Sequence, residues 1–210
     1  LLGPENAVQI WEQTREMLQQ PEFSTRGLLR RMKVEVICTT DNPADDLHHH
    51  KKIAQKPAGI QVLPSFRPDA LYAFGDGAAW NAEIDRIAEA AAMDIYHLDD
   101  VLRALNKRIN YFDTCGTKLS DHGLTRLRFS QTSRKQASEI FSTLRQGATP
   151  SAEEQHALTS FFLVELGRMY HARNWVQQFH IGAFRAVNTC MSRITGPNAG
   201  GKTVAMKTVG

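Results

Sequence analysis

Residues 33–69, KVEVICTTDNPADDLHHHKKIAQKPAGIQVLPSFRPD, hold two short runs of β-branched and apolar residues, KVEVICTT and GIQVLPSFRPD, on either side of ADDLHHHKKIAQK. Each run has the composition of a buried strand, and the first is stopped by the turn sequence Asp-Asn-Pro. The stretch between them reads as a helix. Strand, helix, strand over residues 33–66 is a βαβ unit, whose crossover connection favours parallel pairing.

The alternation continues in both directions. Upstream, ENAVQIWEQTREMLQQ (5–20) sets Val8, Trp11 and Leu18 on roughly one helical face, and STRGLLRRM (24–32) follows with Ser24 as its N-cap. Downstream, AAWNAEIDRIAEAAAMDI (78–95) and LDDVLRALNKRINYF (98–112) are helical, TCGTKLSDHGL (114–124) is a short strand with polar residues at its end, and SRKQASEIFSTLRQG (133–147) begins a second helix pair. Its partner, TPSAEEQHALTSFFLVELGRMYHARN (149–174), opens with a capping box of Ser151 and Glu154. The strand WVQQFHIGAFR (175–185) closes the series. Helix pairs where one crossover helix would suffice predict an α/β fold, a partial and distorted (β/α)8 barrel with helical insertions.

Barrel chemistry sits at the C-terminal ends of the strands, and the four ends here are polar. The first carries Thr39, Thr40 and Asp41, the second Ser65, Arg67 and Asp69, the third Ser120, Asp121 and His122, and the fourth His180 and Arg185. Each has a plain structural reading: Asp41 can make an Asx turn before Asn42 and Pro43, and Arg67 can simply pair with Asp69. Their coincidence at four successive ends favours a site. Asp121 and His122 are adjacent, so on a strand they point to opposite faces and at most one enters the site. The run His48, His49 and His50 reads as an exposed helical stretch rather than a metal site.

LLGPENAVQIW, VICTTDNPADDL, VLPSFRPDA, GTKLSDHGL and WVQQFHIGAFRAVNT, in this order, resemble the uronate (glucuronate) isomerases of the amidohydrolase superfamily over residues 1 to about 193. The resemblance implies a distorted (β/α)8 barrel of the metal-dependent hydrolase type with one divalent metal, usually zinc. It implies interconversion of hexuronic acids, D-glucuronate to D-fructuronate and D-galacturonate to D-tagaturonate. The residue types suit that reaction. A guanidinium binds a carboxylate through two parallel hydrogen bonds, so Arg67 first, Arg185 second, with Asp69 beside them, are candidates for holding a hexuronate. Moving a proton between C2 and C1 through an enediol needs an acid or base of near-neutral pKa, for which His180 leads, with Asp41 and His122 behind it. His180 is also the candidate metal ligand, and Gly182 lets the backbone approach closely.

The family's His-x-His pair on its first strand, and a later metal-binding aspartate with a neighbouring arginine, have no counterpart in these 210 residues. A barrel without those strands cannot close, so the expectation is a truncated product with little or no isomerase activity by itself. After about Arg193 the pattern changes to ITGPNAGGKTVAMKTVG, where Gly196, Gly201, Lys202 and Thr203 satisfy G-x-x-x-x-G-K-[ST]. That string cradles phosphates on backbone N–H groups and places threonine on Mg²⁺. It resembles the ATPase loop of the MutS family, which binds ATP with Mg²⁺ and branched or mismatched DNA. The chain is therefore divided into a partial isomerase barrel, 1–193, and a P-loop-like tail, 194–210.

Composition bounds the rest. Apolar residues make up 42% and charged residues 22%, a globular balance that supports a sizeable core. A formal charge of +3, with Lys and Arg scattered, demands no nucleic-acid partner. Cys38, Cys115 and Cys190 are far apart in sequence, which fits a reducing cytoplasm rather than a disulfide framework. No run is apolar enough to cross a membrane and no signal peptide pattern opens the sequence. A small hexuronate is the expected partner, and a homo-oligomer is compatible with all of this.

Overall fold

The computed structural model describes residues 3–55 and 59–182. Arg185, Cys190 and the whole of the P-loop string, Gly196, Gly201, Lys202 and Thr203 included, lie outside the described residues, as does the proposed boundary near residue 193.

Two helices, α1 (Ala7–Leu18) and α2 (Thr25–Arg31), precede the first strand, β1 (Val36–Cys38). Ser24 caps α2 as its sequence requires, its hydroxyl accepting the Gly27 N–H at 3.1 Å. The expected apolar face of α1 is present but uncovered by any described residue: Val8, Trp11 and Leu18 are all exposed. After β1 the chain crosses through α3 (His48–Ala54) to β2 (Gln61–Leu63), and these strands pair in parallel with Ile37 opposite Val62. The βαβ unit is therefore as expected, with a shorter helix. Leu47, left-handed at φ 54 and buried, delays its start and turns the third histidine inward.

The helix pair α4 (Gly77–Ala91) and α5 (Leu98–Thr114) leads to β3 (Leu119–Leu124), and the pair α6 (Arg134–Arg145) and α7 (Ala152–His171) leads to β4 (Val176–Ile181). Strands β3 and β4 pair in parallel over six residues, with Gly123 opposite His180. Ser120, Asp121 and His122 thus lie within the paired length of the strand rather than at its very end, because the ladder with β4 continues to Leu124. The expected capping box at α7 is present: Ser151 N–H donates to Glu154 at 2.7 Å and Glu154 N–H to the Ser151 hydroxyl at 3.3 Å.

Phe66 joins the two ladders. Its backbone bridges Asp41 on one side and Ser120 on the other, both in parallel sense, which orders the strands β1-β2-β3-β4. A parallel sheet wound in sequence order, with helix between successive strands, is the arc of a barrel. The Phe66 ring is fully buried, with Phe112 edge-on at 5.1 Å, Tyr170 at 6.0 Å and Trp175 at 6.4 Å. From there the core runs outward through Phe112, Ile109 and Leu105 of α5, Trp80 and Ile84 of α4, Phe141 and Leu144 of α6, and Phe162 and Leu166 of α7. The helices that exceed a minimal crossover are what give this arc an aromatic core of its own.

Candidate active site

Strand alternation sorts the residues of β3 and β4 onto two faces. Asp121 and Gly123 share a face with Gln178 and His180, while Ser120 and His122 share the other with Gln177 and Phe179. The second face meets α7: the His122 ring stacks on Phe179 at 5.4 Å and lies 5.7 Å from Tyr170. The first face carries the charged groups.

There, Asp121 is the hub. One carboxylate oxygen holds His180 Nδ1 at 2.5 Å, and the other lies 3.4 Å from the Arg67 guanidinium. Arg67 Nε–H donates to Asp69 at 2.7 Å, and the second Asp69 oxygen accepts the Gly123 N–H at 2.8 Å. Gly123 is required by this arrangement, since a Cβ there would stand 2.6 Å from both Arg67 Nη2 and Asp69 Oδ2. Asp121 is only 4% exposed, whereas Arg67 is 28% and His180 40% exposed, so the carboxylate sits behind the cation and the imidazole that face outward. With Nδ1 occupied by a carboxylate, His180 presents Nε2, which lies 3.3 Å from the Gln178 side-chain amide.

Asp41 forms a second group. Its carboxylate accepts the Thr39 hydroxyl at 2.6 Å and the Ser65 N–H at 3.2 Å, and its carbonyl accepts the Arg67 N–H at 2.9 Å. The Asx turn offered for Asp41 is instead made by Asn42, whose side-chain oxygen accepts the Ala44 N–H at 2.8 Å. The Asp41 carboxylate is drawn the other way, across to β2. His50 joins it, with Nε2 2.7 Å from the Thr39 hydroxyl and 3.8 Å from Asp41. The loop that carries Asp41 is fixed from behind by Arg108, a buried guanidinium that donates to three carbonyls, Pro43 at 2.7 Å, Asp45 at 2.7 Å and Ala90 at 3.0 Å. Glu83 adds to this by accepting from the Asn42 amide at 2.6 Å.

His122 stands apart from the other sequence candidates. It is fully buried on the helix-facing side, its Nδ1 3.2 Å from the Tyr72 hydroxyl. Burial pushes its pKa down to about 4, with Arg67 adding to that shift and Asp69 opposing it. The structure thus brings Arg67, Asp69 and His180 together around Asp121, sets Asp41 beside them through the Arg67 backbone, and places His122 behind the sheet. Asp121, Gly123 and His50 carried no decisive signal in the sequence. The parity of β3 and β4 would have found Asp121, but only with the register Gly123↔His180 in hand.

Among the described residues no group of three or more His, Cys, Asp or Glu side chains is placed to hold a metal ion. His180 offers one nitrogen, so these residues do not make a metal centre by themselves. No described helix is long and apolar enough to cross a membrane.

Comparison with known proteins gives one answer throughout. The family model for glucuronate isomerase matches residues 1–210. A uronate isomerase of Histophilus somni is 39% identical over 202 residues and one of Salmonella arizonae 41% identical over 209, each alignment taking in 95% of this chain and 43% of the relative. Among solved structures, uronate isomerase of Thermotoga maritima superposes with a TM-score of 0.83 at 33% identity, over 97% of this chain and 45% of that one. Glucuronate isomerase of Caulobacter crescentus gives 0.80 at 28% identity, over 90% and 39%. The chain spans less than half the length of the curated relatives it matches.

Proposed function

Since the chain belongs to the glucuronate isomerase family, we propose that it carries one part of the site of an aldose–ketose isomerase acting on hexuronates, D-glucuronate to D-fructuronate and D-galacturonate to D-tagaturonate. The observation that supports this reading is the Arg67–Asp121–His180 cluster: a cation, and an imidazole whose Nε2 lies beside the Gln178 side-chain amide, held on one buried carboxylate. Arg67 binds the substrate carboxylate through the N–H groups that Asp69 and Asp121 leave free. His180 Nε2 takes the C2 proton, giving an enediol as O1 gains a proton, and then returns a proton to C1 as O2 loses one, so the ketose is an isomer of the aldose. Asp121 holds the ring and stabilises the imidazolium formed between the two transfers. Asp41, at the end of β1, is the candidate to serve the hydroxyl oxygens.

Formal charge sets a further requirement. Arg67 against Asp69 and Asp121 sums to −1, and a hexuronate adds another negative charge. Two unit charges about 4 Å apart repel by about 4 kcal/mol at an effective dielectric near 20. The cluster therefore needs a second cation when substrate is bound. Arg185, five positions past His180, is the sequence candidate. A divalent metal, zinc in this reading, would supply charge and polarise a substrate oxygen; its remaining ligands would have to come from outside the described residues. The 210-residue chain by itself is proposed to bind hexuronate and to lack turnover. Its free cysteines Cys38 and Cys115 fit a cytoplasmic site of action. The P-loop string is a separate proposal, tested by Mg²⁺-dependent ATP binding that Lys202→Ala should abolish.

Titration of the purified chain with D-glucuronate, using D-glucose as the neutral control, tests the hexuronate reading. Glucuronate should bind and glucose should not, and Arg67→Met should weaken glucuronate at least about tenfold, a loss of about 1.4 kcal/mol. Equal binding of the two sugars, or an Arg67→Met chain indistinguishable from the parent, would remove Arg67 from the site.

A further inference from the structure

The Asp41 carboxylate is gripped by one oxygen: every polar contact it makes with the described residues falls on Oδ2. Thr39 is the link in that grip. Its hydroxyl oxygen has three polar neighbours, Asp41 Oδ2 at 2.6 Å, His50 Nε2 at 2.7 Å and the Leu63 carbonyl at 3.4 Å. A hydroxyl has one proton to give and two lone pairs with which to accept. A carboxylate and a carbonyl only accept, so the proton goes to the nearer of them, Asp41. Thr39 then meets His50 as an acceptor, and Nε2 carries a proton. The reverse direction, with Thr39 donating to a bare Nε2, would set the ionised carboxylate against an oxygen lone pair at 2.6 Å. The direction His50 to Thr39 to Asp41 is the same for a neutral and for a charged imidazole.

We propose that His50 and Thr39 are positioning residues for Asp41: the imidazole N–H orients the Thr39 hydroxyl, and that hydroxyl, with the Ser65 N–H, pins Oδ2 so that Oδ1 accepts from a hydroxyl of the bound sugar. The proposal rests on the hexuronate reading of the site. Three elements meet in it, since Thr39 follows β1, Ser65 follows β2, and His50 comes from α3. The His50 and Asp41 side chains are only 11% and 13% exposed, so water competes weakly for these bonds and the carboxylate keeps one orientation. The Asp41 carbonyl also accepts the Arg67 N–H at 2.9 Å, which sets the carboxylate and the guanidinium on neighbouring strand ends. Arg67 takes the carboxylate of the hexuronate, and Asp41 takes a hydroxyl. His50 and Thr39 do not touch the sugar; they act through Asp41.

Titration of the purified 210-residue chain with D-glucuronate tests this, and nitrogen-15 spectra of the histidine-labelled parent give a second readout that needs no sugar. His50→Leu and Thr39→Val should each weaken glucuronate at least about fivefold. His50→Gln, whose amide N–H stands near the place of Nε2–H, should recover most of that loss. On an Asp41→Asn background, His50→Leu should change affinity by less than about twofold, because the group it positions is gone. Full additivity of the two substitutions, or an unchanged affinity in His50→Leu, would show that the histidine only ties α3 to the strands, and would overturn the proposal. In the spectra His50 Nε2 should carry a proton wherever the chain is folded. A bare Nε2 would reverse the hydrogen-bond chain and overturn the proposal even if no variant folds. A parent that binds glucose as well as glucuronate, with the coupling between His50 and Asp41 intact, would instead remove the hexuronate reading and leave Asp41 as a hydroxyl acceptor; binding of neither sugar would overturn both.

Discussion

A methyl group at position 123 separates the fold from the site. Gly123 has an ordinary strand backbone, yet a Cβ would meet the Arg67–Asp69 pair at 2.6 Å. The colliding atoms are ends of side chains that can swing away, so Gly123→Ala should keep its melting temperature within a few degrees while glucuronate affinity drops at least about tenfold. Equal affinity would mean that the pair does not set the binding geometry. His122 gives the complementary case, a buried imidazole whose protonation bears on stability. Its pKa is near 4 folded and near 6.5 unfolded. Between those values the unfolded chain binds a proton that the folded chain does not, so stability falls as pH drops from about 6.5 to 4, by up to roughly 3 kcal/mol. Urea midpoints across that window should slope for the parent and lose this part of the slope in His122→Asn. At this scale the sequence supplied the residue types and the alternation that separates Asp121 from His122. It could not tell which of the two faces the site, because that depends on which side the helices cover.

At the scale of elements, the devices that hold the loops are long-range and the devices that start the helices are local. The cap at Ser24 and the capping box at Ser151 were legible because donor and acceptor lie three residues apart. Ser151→Ala should cost about 1 kcal/mol in chemical denaturation. Arg108 was not legible. It looks like one more exposed helix charge, but its partners, the carbonyls of Pro43 and Asp45, are more than sixty residues away in sequence. Arg108→Met would leave three carbonyls without their donor and is expected to destabilise the chain by about 3–5 kcal/mol, and to loosen the loop bearing Asp41. Arg108→Lys should recover only part, since an ammonium lacks the planar fork that reaches all three. A full recovery by lysine would show that charge alone matters there. The run His48–His50 was read as one exposed stretch for a similar reason. Only the left-handed turn at Leu47 sets His50 against Thr39.

For the whole molecule, sequence order of strands and helices was enough to reach a parallel barrel arc, since each βα step predicts its neighbour. What closes the arc is not described. Among the described residues, β1 and β4 each pair on one side only, and the exposed face of α1 has no cover. The cluster around Asp121 also carries one cation, Arg67, against two carboxylates, Asp69 and Asp121. These features accompany a chain that spans 43% of its curated relatives. The most direct test is a chimera in which this chain replaces the aligned segment of the Histophilus somni relative, assayed for conversion of D-glucuronate to D-fructuronate. The chimera should fold and turn over, lose at least about a hundredfold in kcat on His180→Asn, and lose affinity on Arg67→Met. A folded chimera that binds glucuronate without isomerising it, or whose rate is unchanged by His180→Asn, would contradict the assignment of this cluster to the chemistry.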